Sequence, residues 1–248
     1  MKIISKHFLF KILKITGILV GSILLLLFLL PILFSGTIGD KVKSFANERL
    51  KGELNFSKVR LSFFSHFPSF TVSLYDFSLK GSAPFKKDTL LASQEIAFGI
   101  NLKSILFDKK IRIDKIFISD ALINIQVNEK GEANYNVYTP PPVTAEQAND
   151  TAGTALKLEM IKITNSHLIY NDQSVALLIN VRGMNYTGNG DLSKAIFDLR
   201  SDAKIDLFDL SFAGEPYLTN KKINGELITK INTNSLAFIF QKNKLLIQ

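Results

Sequence analysis

The feature that most constrains this 248-residue chain is an uncharged apolar run near its N-terminus, from Ile15 to Phe34. Fifteen of its 20 residues are Leu, Ile, Val or Phe. A helix of about 20 residues spans about 30 Å, the thickness of the hydrocarbon layer, and this composition favours insertion by about 6 kcal/mol. The sequence therefore predicts a transmembrane helix over residues 15–34, in which we take Ile15, Leu24, Leu27 and Phe34 as anchor residues.

A basic tail precedes the apolar run. Residues 1–14 contain four lysines and no acidic residue. Under the positive-inside rule this tail stays in the cytoplasm and the chain after Phe34 lies across the membrane, which in a bacterium is the periplasm. The alternative is a cleaved secretory signal, but such a core is shorter and ends in a small-x-small site that is poorly matched here. We expect a single-pass protein of the bacterial inner membrane, with its bulk in the periplasm.

Composition argues against several classes of function. The net charge is +8, and half of it belongs to the tail, so the remaining chain gives no electrostatic footprint for nucleic acid. Cysteine is absent, so the chain can form no thiolate nucleophile. Histidine occurs only three times, which leaves few ligands for a metal centre. We therefore expect no metal, no cofactor and no nucleic-acid partner.

The few motifs that resemble catalytic ones lack their partners. Ser201 and Lys204 have the Ser-x-x-Lys spacing of some serine acyl enzymes, but the Ser-Asp-Asn and Lys-Thr-Gly partner motifs are missing. His66 lies between two phenylalanines, which favours a packed ring, and His167 lies in a strand pattern, which favours a surface position. The chain is not expected to be an enzyme.

Residues 35–52 read as an amphipathic helix that follows the membrane segment. Ile38, Val42, Phe45 and Leu50 share one helical face, and Gly52 is well placed to end the helix. Two interpretations stay open. The helix either lies on the outer surface of the bilayer or caps one end of the structure that follows.

Beyond Asn55 the hydrophobic period changes from 3.6 to 2, which is typical of β-strands. Apolar and polar residues alternate through roughly ten to twelve segments in about 190 residues, and Gly, Asn and Asp turns join them. In the first long segment the frame slips after Leu74 to Tyr75, Phe77 and Leu79, as at a β-bulge. We predict a mainly β, largely antiparallel domain over residues 53–248.

Two features interrupt this pattern. Residues 139–155 contain three prolines and no aromatic residue, which predicts an exposed, flexible loop. The segments on either side of the loop resemble each other: residues 113–123 match residues 158–168 at an offset of 45, with Asp120 equivalent to Asn165. The match indicates a β-unit repeated in tandem, although the strand period alone produces part of it.

Four motifs in this region carry a family resemblance. They are Leu61 to Phe85 (LSFFSHFPSFTVSLYDFSLKGSAPF), Asp88 to Ala92 (DTLLA), Phe98 to Ser104 (FGINLKS) and Asn128 to Tyr138 (NEKGEANYNVY). With the N-terminal anchor, they resemble the N-terminal portion of the AsmA family of envelope proteins, in its Bacteroidetes-type branch. Members usually run several hundred residues further, so we expect this sequence to be a fragment, a truncated gene product or a short member.

The resemblance implies a fold and a function. AsmA proteins resemble bridge-like lipid transfer proteins of the chorein type, whose repeated strands form a curled, groove-like sheet with an apolar interior. The implied role is to bind or conduct phospholipid toward the outer membrane for envelope homeostasis. The alternative is a non-enzymatic, membrane-anchored scaffold that binds other envelope proteins through its strand edges and assists outer-membrane protein assembly.

The alternation by itself fits a closed core as well as an open groove, and the resemblance favours the groove. An open apolar face of this extent would suit an acyl chain, which contributes about 0.8 kcal/mol per buried CH₂. The candidate lipid-facing residues are Phe70, Val72, Ile96, Phe98, Ile100, Ile123, Ile125, Val127 and Ile179.

Overall fold

The structure is a computed structural model that describes residues 10–11, 13–22, 25, 39–40, 43–44, 50–63, 65–66, 69–101, 113–137, 158–191, 194–232 and 237–248. The backbone is helical at residues 10–11, 13–22 and 25 and again at residues 39–40 and 43–44. No helix within these ranges is long and apolar enough to cross a membrane. Most of the predicted span, including Leu24, Leu27 and Phe34, and the whole predicted loop 139–155 lie outside the described residues.

The rest of the described chain is β-structure, as the period of 2 predicted. The strands are β1 (Leu54–Asn55), β2 (Lys58–Ser62), β3 (Phe70–Lys80), β4 (Thr89–Ile100), β5 (Ile113–Val127), β6 (Met160–Asp172), β7 (Leu177–Asn189), β8 (Ile196–Phe212), β9 (Glu215–Asn232) and β10 (Ala237–Ile247). They form one sheet in the order β1-β3-β4-β5-β6-β7-β8-β9-β10, and β2 pairs with β3 beside β1.

This sheet is a single open layer. The substantial contacts among the described strands are all between sheet neighbours, so no described strand packs across the sheet as it would in a sandwich. β10 pairs with β9 and not with β1 or β2, so the sheet does not close into a barrel. The predicted groove-like sheet is therefore confirmed in its coarse form, and the sandwich alternative does not describe these residues.

Every described pairing is antiparallel except that of β5 with β6, which is parallel. In that pair Ile116 is opposite Ile161 and Ile118 is opposite Ile163. This is the offset of 45 seen in the sequence, so equivalent residues of the two segments lie side by side. Parallel neighbours need a long crossover connection, and the chain between residues 127 and 160 provides one.

A line of left-handed residues crosses the sheet. These residues have positive φ angles inside strands: Asp76 in β3 (50°), Asp120 in β5 (49°), Asn165 in β6 (45°), Gly183 in β7 (63°) and Asn220 in β9 (51°). All are Asp, Asn or Gly, the types that tolerate this conformation. The slip predicted after Leu74 corresponds to Asp76, two residues further along the strand. We call this line the crease; such irregularities bend strands and increase their twist, which favours a curled sheet.

Hydrogen bonds join β5 to β6 along the crease. The Asn165 side-chain amide donates to Asp120 Oδ1 over 2.6 Å. Ser166 Oγ accepts from the Ala121 backbone N–H over 3.1 Å and donates to the Thr164 carbonyl over 2.9 Å. The irregular backbone therefore keeps its polar groups paired, which buried peptide groups require.

The core of the described residues is concentrated at the β1–β5 end. One cluster contains Leu61, Val72 and Ile100, and a second contains Leu74, Phe77 and Ile96. Residues 54–59, which we call the edge segment, fold onto the second cluster: Leu54, Phe56 and Val59 pack against it. This end of the sheet is therefore packed by the chain's own side chains.

Candidate functional site: an open apolar face

The candidate site is one face of the sheet, on which apolar side chains line up across successive strands. Register places Leu74 opposite Ile96, Ile96 opposite Ile118, and Ile118 opposite Ile163. The same row continues through Tyr186, Ala203, Gly225 and Leu245 to the last strand. Neighbouring strands are about 4.8 Å apart, so from β3 to β10 the row runs about 34 Å.

The opposite face is mainly polar, and β8 shows the contrast most clearly. From Asp198 to Asp206 its charged residues are all exposed, whereas the residues between them are half-buried. The charged set is Asp198, Arg200, Asp202, Lys204 and Asp206, and the alternate set is Leu199, Ser201, Ala203 and Ile205. The alternate set is half-buried without any described strand stacked on it, as expected for a sheet that curls toward this face.

The crease keeps the apolar face continuous. Without it, residues five apart in a strand would point to opposite faces. Across it, Leu74 and Leu79 both join the second core cluster, and Ile118 and Leu91 do so from neighbouring strands. Register then carries this face from Leu91 to Ile123 and Leu168.

The candidate lipid-facing residues occupy two environments on this face. Val72, Ile96 and Ile100 are buried members of the two clusters, and Phe70 and Phe98 pack against those clusters. Val127 is also buried, whereas Ile123, Ile125 and Ile179 are half-buried. The residues of the packed end are therefore engaged with other side chains of the protein, and the half-buried ones are accessible. Whether any of the nine contacts lipid stays a prediction.

Sequence reasoning missed most of the open end of this face. The apolar residues of β8–β10 extend it, and several are strongly exposed: Phe238 (59%), Phe240 (64%), Leu245 (56%) and Ile247 (45%). The alternation in these strands was visible, but their position in the sheet was not, so they were not assigned to the groove.

The packed end is also contacted by the segment that follows the predicted membrane span. A side chain at Gly39 would meet Val59 at 3.2 Å and Phe56 at 3.8 Å. Lys43 Nζ lies 4.9 Å from the centre of the Phe56 ring. The described helical residues of the predicted amphipathic segment thus lie beside β1 and β2, at the packed end of the sheet.

Two polar pairs, each containing a tyrosine hydroxyl, interrupt the apolar face. Tyr186 Oη and Ser201 Oγ are 3.0 Å apart, on adjacent strands β7 and β8. Farther along the strands, Tyr170 Oη donates to Asp172 Oδ2 over 3.1 Å. Burial and the hydrogen bond to Asp172 raise the pKa of Tyr170, so this phenol stays protonated at neutral pH.

On the polar face, two described residues between β2 and β3, His66 and Ser69, contact side chains of β5. The His66 ring stacks on Phe117 with centroids 3.8 Å apart, and Lys115 Nζ donates to Ser69 Oγ over 3.0 Å. Asp114 is 5% exposed, and its Oδ1 has no hydrogen-bond partner among the described residues. Burial raises the pKa of this carboxyl, and the Lys115 charge opposes the shift. Burial likewise lowers the pKa of His66.

The side chains of Ser201 and Lys204 do not come together as the Ser-x-x-Lys motif of a serine acyl enzyme requires. Ser201 and Lys204 are three residues apart in β8 and therefore lie on opposite faces of the sheet. Within the described ranges, no group of three or more metal-ligating side chains comes together. What the arrangement offers chemically is an extended apolar surface with a polar back.

Comparison with known proteins identifies a family. The family model for the AsmA family matches residues 10–235 of the chain. A search of curated proteins found no match.

Proposed function

The chain belongs to the AsmA family, and on that premise we propose that it binds phospholipid along the open apolar face of its sheet. The family membership supports a role in the cell envelope. The single observation that carries the lipid proposal is the uncovered apolar face of β6–β10. Its polar back gives the sheet one surface for water and one for acyl chains.

The energetics suit this ligand class. A contiguous exposed apolar patch on a soluble monomer is normally no more than a few hundred Å². Here the uncovered part of the face, from β6 to β10, runs about 19 Å along the strand order. Each CH₂ buried on it would contribute about 0.8 kcal/mol, so an acyl chain gains substantially from contact over a fraction of this length.

We place the protein, within this proposal, in the bacterial inner membrane as a single-pass protein with its sheet in the periplasm. The uncharged run from Ile15 to Phe34 and the basic tail support this placement. The role is that of a carrier or conduit for envelope homeostasis and includes no catalytic step.

The test is lipid occupancy of the full chain, measured by native mass spectrometry after purification from membranes in a mild detergent. Ile205→Glu introduces a carboxylate on the half-buried apolar face of β8. Burying an unpaired charge beneath an acyl chain is strongly unfavourable, so we expect bound lipid to fall by at least tenfold.

Asn224→Glu is the matched control. It adds the same charge on the neighbouring strand β9, at an exposed position opposite Lys204 on the polar face. We expect it to keep wild-type lipid occupancy. A wild-type chain that carries no lipid, or two variants with the same occupancy, would refute the proposal.

One observation favours the scaffold alternative. All eleven residues of β10 are exposed, and among the described strands it pairs with β9 alone. An exposed strand edge can accept a strand from another protein. Envelope proteins that co-purify with a lipid-free chain in the same experiment would support this alternative over lipid binding.

A further inference from the structure

The pair formed by Tyr186 and Ser201 is a polar point on the apolar face. Tyr186 is in register with Ile163 on one side and Ala203 on the other. Ser201 lies in the next row, whose β9 member is Leu227. A hydroxyl pair at this position lies where, under the proposed function, an acyl chain would cover it.

The absence of a side chain at Gly188 leaves room for the Tyr186 ring to lie on the sheet. Gly188 is directly opposite Ser201, and a Cβ at Gly188 would lie 2.5 Å from Tyr186 Oη and 3.0 Å from ring carbon Cε1. The ring therefore occupies the space that a side chain at position 188 would fill. In this position the Tyr186 Oη lies 3.0 Å from Ser201 Oγ on the neighbouring strand β8.

Tyr186 and Ser201 have two hydroxyl hydrogens, and the hydrogen bond between them uses only one. Each hydroxyl carries one hydrogen, and either oxygen can be the donor in the bond between them. Whichever donates, the other O–H has no partner within the pair. A hydrocarbon chain lying on it would leave that O–H buried and unpaired, whereas an acceptor oxygen would satisfy it.

We infer that Tyr186 and Ser201 form a carbonyl-binding point within the groove, which selects acyl-ester lipids over lipids whose chains lack a carbonyl. The inference rests on the proposed lipid-binding function. The O–H that is not used in the bond between Tyr186 and Ser201 donates to an ester carbonyl of the bound lipid, while the acyl chain continues over the apolar residues beside it.

Tyr170 provides the natural comparison. It also lies on the apolar face, in register with Ile125 and Ile179. Its O–H donates to the Asp172 carboxylate, which brings no hydrogen of its own at neutral pH. The Tyr170 hydroxyl therefore has no donor to offer, and removing it should not affect recognition of a carbonyl.

The experiment compares two phosphatidylethanolamines with the same chain length, one diacyl and one dialkyl ether. The full chain in mild detergent is exchanged against an equimolar mixture, and the bound lipids are counted by native mass spectrometry. An ether oxygen is a weaker acceptor than a carbonyl. We expect the wild-type chain to prefer the diacyl lipid by about tenfold, which corresponds to about 1.4 kcal/mol.

The variants separate the donor from the shape of the site. Tyr186→Phe and Ser201→Ala each leave one free O–H, so each single variant should retain most of the preference. The double variant has no donor and should bind the two lipids equally, whereas Tyr170→Phe should keep the wild-type ratio. The substitutions add no volume, and a thermal melt checks that each variant is folded.

The outcomes separate the two proposals. A wild-type chain that binds both lipids equally, or a double variant that keeps the preference, overturns the carbonyl-binding point and leaves lipid binding intact. A wild-type chain that binds neither lipid overturns the proposed function and, with it, this inference.

Discussion

Ser166 provides the sharpest test of how the crease is stabilised. The residue is 1% exposed, and its hydroxyl joins β5 to β6 at the point where the backbone turns left-handed at Asp120 and Asn165. It accepts a hydrogen bond from Ala121 N–H and donates one to the Thr164 carbonyl. Ser166→Ala removes both bonds and keeps the Cβ in place.

The expected magnitude follows from these contacts. A buried N–H left without a partner costs about 1–3 kcal/mol, and the lost bond to Thr164 adds about 1 kcal/mol. We therefore expect a destabilisation of about 2–4 kcal/mol, which for a chain of this size lowers the melting temperature by about 4–16 °C. The assay is thermal unfolding of the full chain in one detergent, followed by circular dichroism.

Amide hydrogen exchange identifies the mechanism. If Ser166 protects the crease, the Ala121 amide exchanges faster in the variant, whereas amides far along β5 change little. Ser174→Ala is the control, because Ser174 is exposed and its hydroxyl contacts Asp172 in a turn; its effect should stay within about 0.5 kcal/mol. A Ser166→Ala melting shift no larger than that of the control, or unchanged exchange at Ala121, would show that the reasoning is wrong.

Two further predictions concern backbone strain and a buried charge. Gly183→Ala places a Cβ 2.9 Å from Asp206 Cβ at φ +63°, so it should destabilise the chain by about 2 kcal/mol or more. The control Gly131→Ala has φ +78° and nothing within 4 Å, so it should lose only about 1 kcal/mol in the same thermal melts. Equal losses would contradict the predicted clash. Burial raises the pKa of Asp114, so the folded state binds a proton at this carboxyl more readily than the unfolded state does. The stabilisation from the bound proton is therefore lost as the pH rises through the raised pKa. Asp114→Asn should therefore raise the melting temperature at pH 7, with a gain that shrinks toward pH 4; a gain independent of pH would contradict this origin.

Several properties of this fold could be predicted from the residues because their causes are local. Alternation at a period of 2 identifies a strand and assigns each residue to one of its two faces. The slip after Leu74 was visible because the apolar residues change parity there, and Asp76 takes the left-handed conformation that the slip requires. The match between residues 113–123 and 158–168 likewise anticipated side-by-side units, since the parallel register of β5 and β6 has the same offset.

Other properties depended on which segments become neighbours, and no local pattern contains that information. Alternation predicted an apolar face but not whether a second sheet would cover it, because a sandwich and a single open layer need the same two-faced strands. Val72 and Ile125 read alike in the sequence, yet one is buried in the packed end and the other is half-exposed. Their difference arises from the edge segment that folds onto β3 and β4, at a distance that the strand pattern does not encode.

The chain by itself therefore determined the strands, their two chemical faces and the apolar run before them, because each follows from residues close together in sequence. Only the tertiary structure decided the parallel junction, the packed and open ends of the groove, and the meeting of Tyr186 with Ser201. Those features depend on contacts between distant segments, for which the loop-closure entropy is repaid only when the sheet is assembled.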